Sequence, residues 1–411
     1  MSMTVKRQVI VCATMLLFAF GASPAVAQSV TTVENLTAEQ VLVNLANPLS
    51  TRPIGETLAL ISATEIATTP FLLSSGGFLF KLDPATGLMQ RTTTTFGPSL
   101  IDRAITSGEG KVTVGATFQS IKYDQISGFS LSSLPLASVT AASPENSRTL
   151  TGNLSLRANA LAISGMVGVT ENVDVGVLVP LLSVKLAGTS TLVNGNGVVA
   201  RLAESNTVFS GIGDVAALAK YRFVKFQSPE VPDAGGVALV VNVRLPTGDR
   251  ENLRGLGVTR TLVGTVVSSA RGRFRPHGVA GFEHWSKDVS VGTDLGQSVS
   301  IRHRFQYGAG LEFEAAPKLT VLLEFLDQHI LGGAQIEVMP ENTNPKLMVP
   351  GITSAQSMVA IPEGIHKAML VPGLKVNLKG TMVLSVNAIV TLTNDGLRPR
   401  LTPVAGIFLT M

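Results

Sequence analysis

The 411-residue chain has a single cysteine, Cys12, which lies in its extreme N-terminal segment. No disulfide can brace the rest, so a secreted fold must be held by its core or by a membrane. Charged residues make up only 15% of the chain. With 32 basic and 28 acidic side chains the net charge is +4, too small to argue for nucleic acid. After residue 20 there is no apolar run of the ~20 residues that a spanning helix needs. Yet the chain is 45% hydrophobic. Without spanning helices, the way to satisfy every backbone group in lipid is a closed β-barrel.

Catalytic signatures are equally scarce. There is no G-x-S-x-G elbow, GxxxxGK[ST] loop, CxxC or HExxH. His277, His284, His303, His329 and His366 are scattered without metal-ligand spacing, so neither a metal nor a cofactor is expected. One arrangement has chemical content: His284-Trp285-Ser286 puts a histidine and a serine on the same face of a strand. Some lipid A deacylases of outer membranes use such a pair. The competing reading is a strand end at the membrane interface, with Trp285 in the headgroup layer.

The first residues carry Lys6 and Arg7, an apolar run from Val9 to Phe20, and Ala25-Val26-Ala27. This is a secretory signal peptide over 1–27, cleaved after Ala27. Its removal takes two of the 32 basic residues and none of the 28 acidic ones, which lowers the net charge from +4 to +2.

The remainder shows the period-two alternation of transmembrane strands. In 212–223, Val215, Ala217, Ala219, Tyr221 and Phe223 share one face, while Asp214, Lys220 and Arg222 share the other. In 237–246, Val237, Leu239, Val241, Val243 and Leu245 oppose Asn242 and Arg244. In 301–314, Phe305, Tyr307, Leu311 and Phe313 oppose Arg302, Arg304, Gln306, Glu312 and Glu314. In 380–393, Met382, Leu384, Val386 and Ala388 oppose Ser385 and Asn387. Alternation sustained over ~12 residues exceeds the ~5–6 of a globular strand.

Strands are expected at 77–82, 88–95, 112–125, 150–170, 173–187, 211–225, 236–247, 261–271, 275–286, 301–314, 318–330, 366–378, 380–393 and 400–411. The fold class is all-β, an antiparallel transmembrane barrel of about fourteen strands occupying 77–411, with twelve as the other even count. Tight connections alternate with long loops at 126–149, 188–210, 248–260, 287–300 and 331–365, the asymmetry of short periplasmic turns and long outer loops. The last strand then closes on the first, with Ala405, Ile407, Leu409 and Met411 toward lipid.

Residues 28–76 read differently. Thr37-Ala-Glu39-Gln40 is a capping box that opens a short helix ended by Pro48. The apolar stretch 53–73 is too greasy for a solvated tail, so this segment reads as a plug in the lumen, or else as a periplasmic tether.

GIGDVAALAKYRF at 211–223 followed by VALVVNVRLPTGDREN at 237–252 resembles the outer-membrane proteins of the phenol-degradation MetA-pathway type. These are similar to the outer-membrane channels for long-chain fatty acids and aromatic hydrocarbons. ENVDVGVLVPLLSVKL at 171–186 and FGPSLIDRAITSGEGKVTVGATFQ at 96–119 extend the resemblance, the latter as the lead-in to the first long strand. It implies passive uptake of small hydrophobic compounds and no enzyme activity. Outer-membrane lipids, the solute and the assembly machinery are the implied partners. That machinery commonly reads a terminal aromatic residue, and Met411 stands in its place.

Parity sends Asp214, Lys220, Arg222, Arg244, Arg302, Arg304 and Glu312 to the lumen, with Glu324 on 318–330 as a further candidate. They form either a structural network holding the plug to the wall or a ligand path. The expectation is an outer-membrane channel for small hydrophobic compounds. A lipid-modifying enzyme and a structural or adhesive barrel are the alternatives.

Overall fold

The computed structural model describes residues 36–46, 52–71, 80–82, 89–91, 93, 95–197, 199–228, 233–292, 298–340 and 352–411. The expected signal peptide and Pro48 lie outside the described residues. Among these residues no helix is long and apolar enough to cross a membrane.

Twelve antiparallel strands form a closed wall. They are β1 (Val112–Ile126), β2 (Arg148–Thr170), β3 (Val173–Asn194), β4 (Ala216–Lys225), β5 (Gly235–Arg244) and β6 (Arg260–Ser269). Then follow β7 (Phe274–Trp285), β8 (Ser298–Ala316), β9 (Leu319–Leu331), β10 (Ile365–Lys379), β11 (Met382–Thr391) and β12 (Leu401–Thr410). The final strand pairs back on the first, from Val404 opposite Gln119 to Thr410 opposite Thr113. This closure removes the open edge.

Among the described residues the wall thus has twelve strands, the lower of the two even counts expected. Of the two further ones expected at 77–82 and 88–95, the described residues are Phe80–Leu82 and Met89–Arg91, which pair with each other and, among the described residues, not with the wall. The long loops also differ from expectation. Much of 126–149, 188–210 and 331–365 continues the wall as Leu134–Ala141, Val199–Ile212, Gln335–Pro340 and Ile352–Ile361. With 23 and 22 residues, β2 and β3 run far past the ~9–11 a spanning strand needs. Ser190 in the β3 extension is fully buried and faces inward, where the N-terminal helix 38–46 packs on the extended strands.

Inside the membrane band the parity is regular. Tyr221 is 52% exposed and Val386 52%, whereas their neighbours Lys220 and Ser385 are 4% and 0% exposed. At the closing seam Phe408 turns inward opposite Gly115. A Cβ on Gly115 would lie 2.4 Å from that ring, so the side-chain-free position is what lets it pack.

The lumen is filled. Helices α1 (Ala38–Ala46) and α2 (Arg52–Thr68) pack together as a hairpin at the end where the strands extend. The capping box forms in full: Gln40 N–H donates to Thr37 Oγ1 at 3.3 Å, and Thr37 N–H donates to Gln40 Oε1 at 3.0 Å. Gly55 permits close approach, since its Cβ would fall 2.5 Å from Val43 Cα. Leu58, Leu60, Ile61, Ala63 and Ile66 are all buried, so α2 is enclosed on nearly every side. Residues 96–107, expected as a simple lead-in to the first long strand, run instead as a buried strap across the lumen, with Phe96, Ile101, Ala104 and Ile105 almost wholly covered. Hydrogen bonds to wall side chains, not alternation, set that path.

Candidate functional site

The last carbonyls of a helix have no partner within it and carry the negative end of its dipole. At the end of α2 three wall arginines meet this need. Arg244 and Arg260 donate to the Ala67 carbonyl at 3.1 and 3.0 Å, and Arg304 donates to that of Thr68 at 3.3 Å. Three buried guanidinium groups repel one another, and Glu283 beneath them offsets this, 2.8 Å from Arg304 and 3.7 Å from Arg260. Further along α2, Glu65 pairs with Lys367 of β10.

The start of α1 is held too. Ala38 N–H donates to Asn252 Oδ1 at 3.2 Å and Glu39 N–H to the Glu251 carbonyl at 2.9 Å. These acceptors sit in the loop after β5, which Asp214 organises. Its carboxylate accepts the Gly248 N–H at 3.1 Å, the Leu256 N–H at 3.4 Å and Arg260 at 3.1 Å. Thr247 adds a second tie, donating to the Gly213 carbonyl and accepting the Val215 N–H. The paired stretches around Gly213-Asp214 and Leu245-Pro-Thr-Gly-Asp249 are thus one knot, and the plug docks on it.

The strap is fixed by a second set of buried charges. Glu324 accepts the N–H groups of Ser99 and Leu100, both at 2.8 Å. Asp174 accepts that of Ser107. Lys220 bridges Asp102 at 3.2 Å and Asp174 at 3.7 Å, and Lys375 donates to the Pro98 carbonyl at 2.6 Å. His277 lies between Glu324 and Glu312, at 3.3 and 3.9 Å.

Between plug and strap a cavity of about 120 Å³ remains. Pro70, Phe71, Leu100 and Ile101 give it apolar surface, while Lys220, Arg244, Glu283 and Arg304 supply charge at its wall.

Of the residues singled out from sequence, Asp214, Lys220, Arg222, Arg244, Arg304, Glu312 and Glu324 are buried inside the barrel. They do not pair with one another as a single network. Arg222 bonds Asp233 at 2.7 Å, Lys220 meets Asp102 and Asp174, and Asp214 meets Arg260. Arg302 is not among them: it is exposed, because a bulge at His303 (φ 34°) shifts the register between Arg302 and Arg304 and reverses the alternation. Trp285 is likewise not at the membrane interface. It is 1% exposed inside the lumen, and its indole N–H donates to Glu283 at 2.8 Å. His284 faces outward and stacks on His303 at 4.7 Å, while Ser286 Oγ accepts the Thr259 N–H.

Asp102, Asp174, Asp233, Arg260, Glu283, Lys367 and Lys375 were not foreseen. The parity that marks Lys220 also marks Asp174 and Lys375 on their strands. Asp102 lies in the strap, where no period applies.

No family model matches the sequence, and no curated protein matches it. Solved structures show similarity to the chain. An outer-membrane channel from Pseudomonas putida F1 shares 9% identity over 75% of this chain and 98% of its own, with a TM-score of 0.47. The Ralstonia pickettii toluene transporter TbuX shares 13% over 74% and 89%, with a TM-score of 0.31. The P. putida toluene transporter TodX shares 10% over 73% and 89%, with a TM-score of 0.33. At such values the likeness carries no argument about activity.

Proposed function

We propose that the chain is an outer-membrane channel that admits small hydrophobic compounds passively, past a plug that has to shift. The observation that carries this reading is the filled lumen. Helix α2 and the strap are both tied to the wall by buried charges, and only a small, partly apolar cavity lies between them. A wide aqueous porin is lined by open polar surface, and such packing is its opposite. The apolar outer face and the expected signal peptide support placement in an outer membrane, with outer-membrane lipids and the assembly machinery as partners. The strand extensions then form the outer mouth.

The deciding experiment compares the intact protein with one lacking residues 28–73, in planar bilayers and in proteoliposomes. The expected result is low conductance for the intact protein, higher conductance after deletion, and uptake of a hydrophobic probe such as an alkylbenzene. A large steady conductance from the intact protein would identify a general porin. No uptake in either form, with deacylation abolished by His284→Ala, would favour a lipid-modifying enzyme.

A further inference from the structure

Four of the five histidines form two stacked pairs on the outer face of the wall. His284 stacks on His303 at 4.7 Å and His329 on His366 at 4.5 Å between ring centroids. The sequence separates His329 from His366 by a long stretch, but β9 and β10 place them directly opposite each other. Asp327 lies two residues before His329 and so shares its face. This converts residues without any metal-ligand spacing into a compact set of two imidazoles and one carboxylate.

The geometry is that of ligands around a common point. His329 Nε2 lies 3.0 Å from Asp327 Oδ1, and His366 Nε2 lies 3.0 Å from Asp327 Oδ2. One donor atom from each residue falls within 4.8 Å of the other two. Asp327 is 4% exposed, and its buried Oδ1 has no hydrogen-bond partner despite the nearby ring nitrogen. A carboxylate in that position is short of positive charge. Tyr307 stands directly opposite Asp327 on the neighbouring strand, and its ring stacks on His329 at 6.1 Å between centroids, flanking the cluster.

We propose that Asp327, His329 and His366 bind a divalent transition-metal ion, zinc being the ion their donors suit. Two imidazole nitrogens and a carboxylate oxygen make three protein ligands and leave the fourth position to water. Both histidine side chains are 42% exposed, so an ion can reach them. The site lies one rung below Ile330 and Ile365, where the β9–β10 ladder ends and the Gln335–Ile361 extension begins. An ion there staples the two strands at the base of that extension. This inference is independent of the solute the channel carries.

The test titrates zinc into the full-length, chelator-treated protein folded in detergent, read by competition with a chromophoric chelator. One zinc per chain is expected, with the affinity lowered at least ~10-fold in His329→Ala, His366→Ala and the isosteric Asp327→Asn, and unchanged in His284→Ala. Zinc-edge absorption on the wild-type protein gives a second readout that needs no variant: two imidazole nitrogens at ~2.0–2.1 Å and oxygen in the remaining positions. No stoichiometric zinc, equal affinity in the three ligand variants, or loss on His284→Ala would overturn the proposal.

Discussion

Glu283 and Arg304 stand directly opposite each other on β7 and β8 and bond at 2.8 Å, both sealed from solvent. Arg304 also reaches the end of α2, so this carboxylate neutralises the cluster that grips the plug. Glu283→Gln leaves Arg260 and Arg304 buried without their shared counter-charge. The expected cost is ~3–5 kcal/mol, measured by urea unfolding in detergent. A loss within experimental error would contradict this account of the cluster.

Gly55 offers a way to disturb the plug while sparing the wall. In Gly55→Val the new side chain meets the backbone at Val43, and overpacking of this kind costs ~1–3 kcal/mol. Single-channel conductance is expected to rise, with the heat-dependent gel shift of a folded barrel retained.

Lys220 is the cation between Asp102 and Asp174. Lys220→Met sets two carboxylates against each other at the strap. A cysteine introduced by Ala104→Cys, now buried, is expected to react faster with a maleimide in that background. Equal labelling rates would mean that Lys220 does not hold the strap.

The lipid face has a depth profile. Val386→Arg, in the middle of β11, is expected to cost ~2–4 kcal/mol, and Leu401→Arg, at the end of β12, ~0–1 kcal/mol. Equal costs in refolding titrations would misplace the apolar band.

Asp249 makes the plug's outer anchor sensitive to acid. Partial burial opposes its ionisation, but hydrogen bonds from Asn252 and the charge and hydrogen bond of Arg254 outweigh this and hold its carboxyl below the ordinary aspartate value of 3.8. A lowered folded pKa stabilises above the unfolded value and is lost as pH falls through the folded one. Conductance should stay steady from neutral pH down to that value and rise below it. Asp249→Asn should raise it at neutral pH and remove the acid step.

Much of the wall was legible because lipid and a packed lumen impose opposite chemistry on alternate residues. Tyr221 against Lys220 and Val386 against Ser385 needed nothing else. The same rule failed at Arg302, where one extra residue at His303 reverses the sides and no local sequence signal announces it. At Trp285 the rule held, since parity with Glu283 sends it inward; what misled was the preference of an indole for a membrane interface. The strap was missed because its residues are fixed by side chains more than a hundred positions away, such as Lys220 and Glu324. The juxtaposition of His329 and His366 depends on strand register alone. The plug was legible at its start, where Thr37 and Gln40 cap each other, but not in its grip, which depends on arginines from β5, β6 and β8 meeting at one helix end.

That grip has a consequence for how the chain is made. Glu65 finds Lys367 at a separation of 302 residues, and Ser99 finds Glu324 at 225. Contacts so distant along the chain are reached late, after the loop-closure entropy of all the intervening strands has been overcome. The helices and strap emerge first from synthesis and secretion, yet their partners on β9 and β10 come near the end. These N-terminal segments have to wait, largely apolar and without those partners, while the wall assembles around them. Folding should therefore be slow and dependent on a holding chaperone, with barrel closure and plug docking as a single final event.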